Sequence, residues 1–88
     1  MTMYPYMIIT FDYNEKGALT NIKHTYTFND KQQFADKVAE LNRTQRTVVV
    51  DEETGETVTY KAYKVEAYVA GYALIEDMAA FKAVNHIV

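Results

Sequence analysis

The 88-residue chain has no cysteine, no serine and no tryptophan, one proline and only three glycines. Without cysteine it can build no disulfide, thiolate zinc site or iron–sulfur cluster. Without serine or cysteine the common Ser-His-Asp and Cys-His machinery has no nucleophile, which leaves threonine, tyrosine, lysine or carboxylates. Thr2 would need removal of Met1 to serve as one, and no identifiable site follows it. Carboxylates are numerous, but the pattern sets no pair of them in a cleft. The chain therefore reads as non-catalytic, with no cofactor and no metal. No apolar run approaches the roughly 18 residues of a membrane span, and Met1–Tyr6 lacks the basic and apolar regions of a secretory signal, so the expected compartment is the cytoplasm.

What is present is enough apolar material to fold: 49% hydrophobic and 14% aromatic residues at 10.1 kDa. Such a length holds one core, so residues 1–88 are expected to form one domain. The formal net charge is −3, too acidic for a nonspecific nucleic-acid binder, and it is unevenly spread. Residues 1–50 carry six basic and five acidic side chains, whereas residues 51–88 carry three and seven. The acidic second half favours a basic partner or simply solubility.

Periodicity divides the chain into two strand–strand–helix units, about 4–43 and 46–84, with a short apolar tail at 85–88. From Tyr6 to Tyr13, Met7, Ile9, Phe11 and Tyr13 alternate with Thr10 and Asp12, which predicts a half-buried strand with the larger residues inward. Asn14-Glu15-Lys16-Gly17 predicts a hairpin turn. Ile22, His24, Tyr26 and Phe28 then mark the inner face of a second strand. Asn29 or Asp30 caps a helix to about Arg43, with Phe34, Ala35, Val38 and Leu41 on its packed face. In the second unit Thr47–Asp51 is a β-branched strand, Glu53-Thr54-Gly55 a turn, and Thr57–Val69 a long strand. Val58, Tyr60 and Ala62 share one face and Tyr63, Val65, Ala67 and Val69 the other, which predicts a bulge or bend near Lys61–Lys64. Gly71 precedes a second helix at about 72–84, centred on Leu74, Ile75, Met78 and Phe81. The expected architecture is α+β: a ββαββα two-layer sandwich, with a four-stranded mainly antiparallel sheet and two helices on one face.

The acidic run Asp51, Glu52, Glu53 and Glu56 lacks the spacing of a calcium loop. It reads either as a solvated turn or as a surface that docks on a basic protein, where carboxylates steer association at low salt. His24 reads as a hydrogen-bonded imidazole and His86 as a terminal residue, neither with metal-ligand spacing. Eight tyrosines are the most unusual feature of the composition. Tyr60, Tyr63 and Tyr68 fall on both parities of the long strand, so at least one faces away from the helices, where aromatics anchor protein partners. Arg43, Arg46, Lys61 and Lys64 supply the alternative, a single-stranded nucleic-acid surface formed with sheet tyrosines, although no RNP-like or glycine-rich motif accompanies them.

In size and composition the chain is similar to small accessory proteins of bacteriophages and mobile elements, some of which inhibit host defences such as CRISPR or restriction nucleases. That resemblance implies an acidic protein-binding inhibitor of a host factor. Self-assembly is the third expectation, motivated by the broad apolar arc of the second helix and by Ile87-Val88; a homodimer would present two acidic turns to one target.

Overall fold

The computed structural model describes residues 4–70 and 73–88 of the chain. Thr2, Gly71 and the first position of the helix expected at 72–84 lie outside the described residues. The elements run β1 (Tyr6–Tyr13), β2 (Leu19–Phe28), α1 (Lys31–Arg43), β3 (Gln45–Asp51), β4 (Glu56–Lys61), β5 (Tyr63–Val69), β6 (Ala73–Leu74) and α2 (Met78–Val84). The fold is α+β, with a four-stranded antiparallel sheet in the order β2-β1-β5-β6 and a separate two-stranded antiparallel sheet, β3-β4.

Both hairpin turns follow from their side chains. Asn14 Oδ1 accepts from the amides of Lys16 and Ala18 at 2.9 and 3.0 Å, and Gly17 takes φ 79°. Asp51 plays the same part in the second hairpin: its Oδ1 accepts from Glu53 N at 3.0 Å and Thr54 N at 3.4 Å, while Gly55 takes φ 73°. A side chain at either glycine would strain a left-handed backbone.

Helix α1 begins at Asp30, whose carboxylate accepts from the amides of Gln32 and Gln33. It buries the expected Phe34, Ala35, Val38 and Leu41. These meet Ile8 and Ala67 from the sheet, with Tyr6, Tyr26, Phe28, Tyr63 and Val65 packed around them. Phe34 is the centre of this cluster: its ring stacks on Tyr6 at 5.0 Å and meets Phe81 edge-on at 5.9 Å. Ile75, Met78 and Phe81 pack against the same cluster.

Three expectations are corrected. First, β1 buries the other parity: Ile8, Thr10 and Asp12 are inward, and Met7, Ile9 and Phe11 line the opposite side of the sheet. The register shows why, because Ile8 lies between Tyr26 on β2 and Ala67 on β5, both of which join the core. The inner face is the one on which α1 packs, so the stripe that carries Ile8 is buried although the opposite stripe holds Met7, Ile9 and Phe11. Second, the long strand is two strands. The parity change falls at Ala62, which is fully buried, donates to Thr44 O and accepts from Tyr13 N. Before it the chain pairs with β3, after it with β1. The expected bulge or bend is a change of partner, and the strand expected at Thr47–Asp51 leaves the main sheet. Third, the second helix starts at Met78, where Asp77 Oδ1 caps Ala80 N at 3.0 Å. Ala73 and Leu74, expected to be helical, instead pair with Val69 and Tyr68.

Along β2 the expected inward parity holds at Tyr26 and Phe28, but Ile22 and His24 are exposed because β2 runs past the end of the packed core. Helix α2 ends in the six-to-one and five-to-two bonds of a Schellman motif, Ile87 N to Lys82 O and His86 N to Ala83 O. The left-handed position, usually glycine, is His86 at φ 55°, and the following Ile87 is buried. Beyond it, Val88 N and O bond the side-chain amide of Gln32, tying the tail to α1.

Candidate functional site

The β3–β4 hairpin forms an arm. Seven-residue and six-residue strands reach about 20 Å at roughly 3.3 Å per residue. The molecule is correspondingly long, with extents of 52 × 29 × 18 Å. Between Gln45 and Lys61 no side chain is buried. The register joins Arg46 to Tyr60 and Val48 to Val58, so these four share the more sheltered side. Thr47 and Thr59 share the exposed side, their hydroxyls 2.8 Å apart. β-Branched residues suit such a pleated surface, and Thr47–Val50 and Thr57–Thr59 form the middle of the two strands.

The arm is fastened at its base by a polar junction. Arg46 donates from Nη1 to Asp12 Oδ2 and from Nη2 to Tyr63 Oη, both at 3.1 Å. Its guanidinium also lies 4.9 Å from the Tyr63 ring centroid. The bond to Tyr63, and then that to Asp12, raise the Arg46 pKa above its ordinary value against the opposing effect of desolvation. Asp12 is only 5% exposed, and Arg46 is the cation that compensates its burial. Sequence reading gave Arg46 to a nucleic-acid surface and missed Asp12. The one signal was an acidic residue inside an otherwise apolar strand, which asks for a partner.

At the far end the acidic residues divide into two roles. The carboxylate of Asp51 is taken up by the turn. Glu52, Glu53 and Glu56 are exposed, and none forms an ion pair among the described residues.

The tyrosines do not join this tip. Tyr60 is at the base of the arm beside a shallow cleft of about 260 Å³ shared with Tyr13, Gly17 and Lys61. Tyr63 packs on the core side, while Tyr68 pairs with Met7 on the opposite side of the sheet. There its hydroxyl donates to Glu66 Oε1 at 3.2 Å, and burial followed by this bond raises the phenol pKa above the usual tyrosine value. The four basic residues are likewise divided. Arg43 is exposed at the end of α1, Arg46 is held by Asp12, and Lys61 donates to Asn42 Oδ1 at 3.3 Å. Lys64 stands 4.0 Å from Glu66 and over the Phe11 ring.

A second cleft, of about 600 Å³, opens between the arm and the β1–β2 turn, lined by Glu15, Lys16 and Val48–Val50. Among the described residues no group of three histidines and carboxylates is set to hold a metal ion, and no helix is long and apolar enough to cross a membrane.

Compared with known protein families, curated proteins and solved structures, the chain matches none.

Proposed function

We propose that the chain is a non-catalytic protein-binding module that docks the acidic tip of its β3–β4 arm on a basic surface of a partner protein, as an inhibitor or adaptor of a host factor would. The observation that carries this reading is the state of the tip carboxylates. Glu52, Glu53 and Glu56 are exposed and free of ion pairs among the described residues, at the end of an arm bonded to the body at its base. Three like charges held near one another repel, and a cationic partner relieves that repulsion while the same field speeds the encounter. The turn keeps its shape through Asp51, so the three glutamates are free to bind without unfolding the hairpin. The nucleic-acid alternative is less favoured, because Arg46 and Lys64 already have carboxylates beside them.

The test begins with capture of partners from nuclease-treated lysate and ends with an affinity. The partner so identified is titrated with the wild-type chain and with the Glu52→Lys, Glu53→Lys, Glu56→Lys variant at low and high salt. A salt-sensitive wild-type affinity, reduced about 100-fold or more by the reversal, is the expected result. Equal affinities for the two proteins would refute the acidic-tip mechanism.

A further inference from the structure

The cleft between the arm and the β1–β2 turn is a groove beside an open strand edge. On the strength of the partner reading above, we infer that it takes an extended segment of that partner, antiparallel to β3. In that segment lysine or arginine comes first and apolar residues follow. The groove is lined by Val48–Val50 on one side and by Glu15 and Lys16 on the other, with about 600 Å³ between them. Val49 and Val50 are 57% and 48% exposed, and Val48 is half-buried. Among the described residues β3 pairs only with β4, so its other edge holds backbone amides and carbonyls that an added strand can bond. From Gln45 to Val49 the register with β4 is unbroken, and the shift lies beyond it, between Val49 and Asp51. The turn walls the cleft on its far side, so the space suits one extended chain, not another sheet.

The lining decides the occupant. Small-molecule sites bury most of their ligand among converging polar groups. Every residue lining this cleft is exposed or half-buried, so a small molecule would stay wet, whereas a strand gains main-chain bonds along the edge. Charge then orders the segment. Glu15 and Lys16 offset one another inside the cleft, and neither forms an ion pair among the described residues. Past Val50 the chain runs straight into Asp51, Glu52 and Glu53, of which the last two are exposed. An antiparallel strand therefore passes the glutamates first and the valines afterwards. Nucleic acid or an acidic peptide would bring like charge to that end, where cationic side chains are attracted instead. Apolar side chains at every second position then cover the exposed valines, because alternate residues of a strand share a face.

Two end-blocked peptides of one composition test this on the isotope-labelled full chain through amide chemical shifts: Lys-Lys-Thr-Val-Thr-Val and its reversal, Val-Thr-Val-Thr-Lys-Lys. The first is expected to move the signals of Thr47–Val50, Glu15 and Lys16 with a Kd of about 100 μM, and the reversal to bind about tenfold more weakly. Val49→Lys with Val50→Lys changes exposed side chains only and should weaken the first peptide about tenfold or more. Glu15→Lys, in the turn, is a second variant and should weaken it about threefold. No movement at about 1 mM peptide, equal affinity for the two sequences, shifts confined to Glu52–Glu56, or indifference to both variants would overturn the groove. The partner titration is a separate outcome. A partner that needs the tip glutamates but binds the Val49→Lys, Val50→Lys variant unchanged would overturn the groove and leave the tip. Order-dependent peptide binding at β3, with a partner indifferent to the tip, would support the groove and refute the tip.

Discussion

The four-stranded sheet and the β3–β4 arm are both rich in strand-forming residues, yet they are held together by different forces. In the sheet, Ile8 and Ala67 are buried in one cluster with Phe34, Val38 and Leu41 of α1, and the backbone ladder is paired across several strands. In the arm no side chain is buried, and its order comes from one ladder, the Asp51 turn and the Arg46 junction. Burial stabilises the first and polar geometry shapes the second. Changing the arm's surface residues therefore removes little packing, which is what the proposed docking requires.

The comparison breaks first in the core. Phe34→Ala should cost about 3–5 kcal/mol in denaturant unfolding, because the ring is fully buried between Tyr6, Phe28 and Phe81. A loss below about 1 kcal/mol would mean that the cluster does not hold the sheet. Next is the junction. Arg46→Met leaves the Asp12 carboxylate sheltered without its cation, and should cost about 2 kcal/mol, less than for a fully buried pair because Arg46 is 38% exposed. Amide exchange in the arm should rise more than in β1 if the junction is its anchor. His86→Gly works in the other direction, relieving a non-glycine residue in the left-handed cap and raising stability by about 1 kcal/mol.

The smallest effect concerns pH. The Tyr68 pKa is raised in the fold, so its neutral form contributes stability that is fully present below the unfolded value near 10 and is lost as pH rises through the folded value. The wild-type melting temperature should therefore fall more steeply above about pH 10 than that of Tyr68→Phe. Parallel curves would show that the phenol has no such role.

Much of this was legible from residues. Helix α1 and its buried face follow from spacing alone, as do both turns, while spacing narrows the cap to Asn29 or Asp30 and the structure selects Asp30. The parity change between Tyr60 and Tyr63 was visible, but whether a strand bulges there or changes partner depends on β1 and β3, which are distant in sequence. Alternation alone does not give the inner face of β1, because Asp12 turns inward to meet an arginine 34 positions away. The second helix was read too long because Leu74 and Ile75 fit a helical arc as well as they fit an edge strand. The acidic tip was legible as composition, and its isolation at the end of an arm was not, since only the fold separates β3 and β4 from the sheet.

The most direct test of the arm as the binding element is amide hydrogen exchange of the full chain with and without its captured partner. The account predicts new protection across residues 45–61, strongest at Glu52–Glu56, with the sheet unchanged. Protection confined instead to β1 and β5, around Met7, Ile9 and Tyr68, would contradict it and assign binding to the open side of the sheet.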